Sequence, residues 1–140
     1  MQKNLTLSKT EKGQSLVELA FGIVMLFILL AGIVDFGRGF FTYMALRDAA
    51  QEGALYGSVH PTEVDTIKAR ARDASKSTVT LSNADISVGY TGDPCAGNGI
   101  LVSIAYDFPI SMPFIGAIIG AQTFTLNASV TDTIILPACP

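Results

Sequence analysis

Beyond Lys76 the chain has no lysine or arginine, although Asp85, Asp93, Asp107 and Asp132 follow. A nucleic-acid surface needs clustered cations to neutralise phosphates, so DNA or RNA binding by the C-terminal half is not expected. Histidine is almost missing. His60 stands alone in 140 residues, next to Pro61, where it reads as a turn residue rather than the base of a Ser-His-Asp or Cys-His site. Two cysteines, Cys95 and Cys139, with one histidine do not make a zinc set. Asp93 and Asn98 share a turn-rich loop, but the spaced acids of a calcium loop are lacking. Asp35-Phe36-Gly37 spells the magnesium triplet of kinases, yet no other kinase motif accompanies it and the chain is far too short for that fold. Internal repeats and low-complexity tracts are absent. The expectation is a protein with no catalytic residues, no metal, no cofactor and no small-molecule substrate: not an enzyme.

What the chain does have is apolar. Hydrophobic residues make up 49% and the mean hydropathy is +0.45, high for a small soluble protein with only 15% charged residues. Much of the excess lies in the uncharged run Leu19–Val34. That run is slightly short of the about 20 residues a spanning helix needs, so a span must borrow from Gln14–Val17 or from Asp35–Phe41. Lys3, Lys9 and Lys12 precede it, against Glu11 alone. Cationic flanks stay on the cytoplasmic side, which puts the N-terminus inside and the C-terminal bulk outside. An ordinary secretory signal would want small residues after its apolar core. Here the bulky Asp35-Phe36-Gly37-Arg38-Gly39-Phe40-Phe41 follows instead.

At the head of the run stands Lys12-Gly13-Gln14-Ser15-Leu16-Val17-Glu18. A carboxylate drawn into hydrocarbon costs roughly 2.5–3.5 kcal/mol on insertion scales, which makes Glu18 a functional residue by default. The competing reading is an ordinary helix-start acid at headgroup level, favoured by the helix dipole. Asp35 and Arg38, at i, i+3 spacing, form an exposed ion pair that anchors the helix at the other interface.

No proline interrupts the chain from Gln14 to Pro61, so one helix over 14–58 is expected, roughly 68 Å long at ~1.5 Å per residue. Only its first half, about residues 16–36, fits a bilayer. Past the membrane, Phe36, Phe40, Tyr43, Ala50 and Ala54 fall on one side, with Asp48 and Glu52 opposite. Ala50, Gly53, Ala54 and Gly57 form a seam of small residues where another backbone can approach. Residues 59–140 read as an extracytoplasmic α+β head. Thr62 and Asp65 look like a cap for a short helix at about 63–75, with Val64, Ile67, Ala71 and Ala74 on its apolar face. Period-two alternation then marks strands at about 84–90, 100–108 and 122–133, a small antiparallel sheet with one buried face that packs on the seam. Between the last two strands, Pro109–Gly120 is nearly all apolar: either a partner or membrane surface, or a segment whose Phe114, Ile115, Ile118 and Ile119 fold back over the sheet.

Outside the membrane two cysteines more often pair than act separately, so a Cys95–Cys139 disulfide is expected, with two buried thiols as the alternative.

Three segments, Gly13-Gln14-Ser15-Leu16-Val17-Glu18-Leu19-Ala20, Ile33-Val34-Asp35-Phe36-Gly37-Arg38 and Asp48-Ala49-Ala50-Gln51-Glu52-Gly53-Ala54, resemble the TadE-like pseudopilins of tight-adherence (Flp/Tad) pilus systems. A weaker likeness is Phe124-Thr125-Leu126-Asn127-Ala128-Ser129-Val130. One departure is Leu55-Tyr56, where family members often carry a basic residue. The resemblance implies a pilin-like fold, with a long N-terminal helix laid on a small antiparallel sheet. It implies a leader, residues 1–13, cut by a prepilin peptidase between Gly13 and Gln14, and Glu18 serving assembly, for instance by pairing with the amine freed on Gln14. The expected partners are that peptidase, other pilin or pseudopilin subunits, the inner-membrane assembly platform and the membrane itself. The implied role is a minor subunit of a pilus or secretion assembly in the bacterial cytoplasmic membrane, supporting adhesion. The alternatives are the main subunit of a type IV-like filament, or a membrane-tethered binding module outside any filament.

Overall fold

The computed structural model describes residues 11–111 and 120–140. Its elements are α1 (Glu11–Gly57), α2 (Val64–Ser75), a 3₁₀ turn (Asn83–Asp85), β1 (Ile86–Tyr90), β2 (Gly99–Pro109) and β3 (Thr123–Thr133). The sheet is an antiparallel meander in the order β1-β2-β3. Its register runs from Gly99 opposite Thr133 to Pro109 opposite Thr123. The fold is α+β, a long apolar helix packed on three strands. α1 begins at Glu11, so Gly13 and Gln14 lie within helix, and it ends at Gly57.

α1 divides into two halves with opposite fates. From Leu16 to Val34 its large side chains are exposed all round, Phe21 at 70% and Leu29 at 66%. From Gly39 onward one face is buried. Leu46, Ala49, Ala50 and Ala54 are fully enclosed, while Asp48 and Glu52 point to water. The small-residue seam is in place, and its glycines are there for contact. A Cβ on Gly53 would sit 3.3 Å from Ala71 Cβ and 3.4 Å from Val102 Cγ1. One on Gly57 would overlap Ile100 Cδ1 and lie 3.1 Å from Ile67 Cδ1. A helix pressed this close to both α2 and β2 has no room for even a methyl group at its last turn. Glycine costs helix stability, by ~1 kcal/mol against alanine; here it permits the packing that outweighs that cost.

Ile67 and Ala71 of α2, Val102 and Ile104 of β2 and Ala128 of β3 complete the core, and Ile134 closes it beyond β3. Phe36 and Phe40 lie with Tyr43 on the side of α1 that faces Phe108 and Phe124, but are 77% and 54% exposed; burial starts at Gly39 and continues through Thr42 and Leu46, with Tyr43 half-buried. Two details depart from the periodic reading. The N-cap of α2 is Glu63, with no side-chain cap bond, in place of a Thr62–Asp65 pair. Ala74 is exposed and Ser75 is buried instead, its hydroxyl donating to Arg72 O at 3.0 Å. A capping box does occur further on, where Ser82 N and Oγ both donate to Asp85 Oδ2 and shape the entry to β1. The apolar residues Phe114, Ile115, Ile118 and Ile119 lie outside the described residues.

Candidate functional site

Chain direction fixes where everything sits. α1 rises from its apolar half into the head, so Gly39 lies beside Phe108 and Phe124 at one end of the sheet, and Gly57 beside Ile100 at the other. The end of the head nearest the apolar half of α1 is therefore the β2–β3 side, and the distal end carries the β1–β2 loop and the C-terminal tail.

Gly13, Gln14 and Glu18 are all exposed on the first turns of α1. Around Gly13 nothing approaches within 4 Å of a Cβ position. Glu18 stands among Leu16, Val17, Leu19 and Phe21, each more than half exposed. A carboxylate among exposed apolar side chains gains nothing from burial within this chain, and in hydrocarbon it would be costly.

At the upper end of the apolar half, Asp35 and Arg38 form their ion pair at 3.1 Å. The structure adds partners that spacing alone did not reveal. Ser111 N donates to Asp35 Oδ2 at 3.1 Å, and Arg38 Nη1 also donates to the Ser111 hydroxyl. The guanidinium lies 5.4 Å over the Phe108 ring, a cation–π geometry. Asp35 is thus mostly covered, its side chain 13% exposed, and the pair ties the helix to the strand end rather than standing free. A signal was present in the sequence: Ser111 is the one polar residue between Pro109 and Gly120.

At the distal end Cys95 and Cys139 are bonded, with Cα atoms 5.0 Å apart. The tail is laid in by backbone bonds as well. Ile134 N donates to Asn98 O, Ala96 N to Pro137 O, and Ile135 N to Ser58 O at 2.7 Å, joining the tail to the end of α1. Next to it the Tyr56 ring stacks on His60 at 4.8 Å, its hydroxyl donating to Glu63 Oε2 at 2.7 Å while Arg70 lies over the ring. The bond to Glu63 holds the Tyr56 hydroxyl above its ordinary pKa. Tyr90, whose hydroxyl donates to Pro61 O, is raised by burial. His60 is therefore a stacked residue of the α1–α2 turn. Asp35-Phe36-Gly37 lies inside unbroken helix. Among the described residues no group of three or more histidine, cysteine or acidic side chains gathers as a metal site would require.

By length and composition α1 is a candidate membrane span, at the N-terminal side of the chain. Comparison with curated proteins and with solved structures gives no match. A family model described as TadE-like protein matches residues 13–55. Those residues begin at the glycine ahead of Glu18, take in the whole apolar half and the Asp35–Arg38 junction, and stop where the helix meets the distal turn. Across the helix that carries its candidate functional residues, this chain is similar to TadE-like proteins.

Proposed function

We propose that the protein is a minor, pseudopilin-type subunit of a Tad pilus or a related secretion assembly, anchored by α1 and supporting pilus biogenesis and surface adhesion. The observation that carries this reading is the division of α1. Its second half is consumed by packing against the head, while its first half presents apolar side chains on every side and one acid, Glu18, five residues past a glycine. A helix that is apolar all round needs lipid or other helices for its surroundings. In a bundle of such helices, Glu18 gains the α-amine of Gln14, on its own or a neighbouring subunit, as a charge-assisted partner in low dielectric. The N-terminus lies inside and the head outside, following the leader lysines. A prepilin peptidase removes residues 1–13 before the subunit joins other pilins at the inner-membrane platform.

Two substitutions in the native cells separate the steps. Gly13→Val leaves only full-length precursor, because a side chain blocks the cut. Glu18→Ala is still cut and still folds but fails to assemble, since the partner amine loses its counter-charge where water cannot replace it. Wild-type protein beginning at Met1, or beyond Val34, would overturn the reading in favour of a tethered module or a secreted protein.

A further inference from the structure

The lower end of the head carries a groove of ≈ 420 Å³ between α1 and the open end of the sheet. Gly32, Phe36 and Phe40 line it from the helix, and Phe108, Ile110 and Phe124 from the sheet. Its volume is that of a small-ligand pocket, about 300–1,000 Å³. The one charge on its wall, Asp35, is already engaged by Arg38 and by Ser111 N.

Span length decides what such a groove meets. A hydrocarbon core of about 30 Å takes roughly 20 residues of helix at ~1.5 Å each. A span over about residues 16–36, which takes in Glu18, therefore ends just below Arg38. Gly39 follows, and there a Cβ would lie 3.6 Å from Phe124 Cζ and 3.8 Å from Phe108 Cε1. No spacer separates the span from the sheet. The groove's lower wall, Gly32 to Phe36, belongs to the span, and its upper wall is the first ring of the head. Phe40 and Phe41, 54% and 70% exposed, stand at the level where aromatic rings favour the interface. Arg38, half-exposed on a long stem, reaches headgroup depth.

We infer that the membrane-side end of the head is seated in the outer leaflet of the cytoplasmic membrane and that its groove takes a phospholipid acyl chain. The inference rests on the anchored reading of α1. Lipid is favoured over a second copy because the groove's lower wall, Gly32 to Phe36, belongs to the span itself and its one charged residue, Asp35, is tied to Arg38 and Ser111 N, so acyl chains reach the groove from the bilayer.

The sequence contains no tryptophan, so a single introduced one reports on its own surroundings. Full-length protein carrying Leu29→Trp, Phe124→Trp, Phe40→Trp or Leu101→Trp is reconstituted into phosphatidylethanolamine–phosphatidylglycerol vesicles with and without acyl-brominated lipid. Leu29 lies in the span, Phe124 and Phe40 on opposite walls of the groove, and Leu101 near the distal end of β2. Emission at 29, 124 and 40 should be quenched by the bromine atoms, with 101 unaffected. Quenching at 29 but not at both groove positions overturns the inference and leaves the anchored reading standing, with residues 112–119 or a second copy as the occupant. Loss of quenching at 29 as well overturns both. Equal quenching at all four positions means adsorption of the head without a defined seat, which also overturns it.

Discussion

Of the described glycines, Gly57 at the last turn of α1 has the least room for a side chain. Gly57→Ala drives a methyl group into Ile100 and Ile67, and overpacking of this kind typically costs about 1–3 kcal/mol. Alanine's better helix propensity returns less than that. The expected outcome is a lower Tm by thermal unfolding monitored by circular dichroism, whereas Gly37→Ala, with nothing within 4 Å, should leave Tm unchanged or raise it. Cys95 and Cys139 set a second residue-scale test. Closing a loop of sequence separation 44 stabilises by up to ~4 kcal/mol in the chain-entropy model. Denatured, unreduced protein should therefore bind no thiol reagent, and reduction should lower the melting temperature; two labelled thiols per chain would contradict the bond. Asp35 gives a third. Asp35→Asn removes the charge that faces Arg38, leaving a guanidinium beside Phe108 without its counter-ion. Hydrogen exchange at the Ser111 amide, which now donates to Asp35, should speed up more than exchange in the β2–β3 ladder.

At the scale of elements, the head depends on half of one helix. Leu46, Ala49, Ala50 and Ala54 supply the floor against which β2 and α2 pack. A three-stranded sheet with its apolar face uncovered is marginal in water. Residues 59–140 expressed alone are expected to aggregate or form a molten state, while a chain starting near Phe36 should melt cooperatively; a sharp melt from the shorter chain would refute this dependence. Much of this arrangement was legible in the sequence. The lack of proline from Gln14 to Pro61 and the alternation in β2 and β3 depend only on local geometry, and the elements appear within a few residues of where the patterns put them. The small-residue seam was legible for the same reason, since Ala50, Gly53, Ala54 and Gly57 recur at helical spacing. Phe36 and Phe40 share the sheet-facing side with Tyr43, as their spacing puts them, but stay largely exposed; periodicity reports which residues share a face and cannot report how far along that face the sheet extends. Ser111 stood out locally as the one polar residue of its segment, but its partners Asp35 and Arg38 are far away in the chain, and no local pattern could name them.

Across the described residues, features of different kinds stand at opposite ends: an acid and a glycine on the unpacked first turns of α1, and a covalent staple at the far end of the sheet. Between them, α1 and β2 run in opposite directions and α1 and β3 in the same one, so the direction of any force on the head is defined by the fold. A pull applied between the lower part of α1 and the top of the head acts along α1. The β2–β3 ladder, paired from Gly99–Thr133 to Pro109–Thr123, lies along that line and is loaded in shear, with its bonds strained together rather than one after another. The tail bears against Ser58 through Ile135 N and is locked by Cys139 to Cys95, so β3 cannot peel away from its upper end. The disulfide's position makes it a covalent stop: the last strand cannot leave the sheet from its upper end without carrying the β1–β2 loop with it.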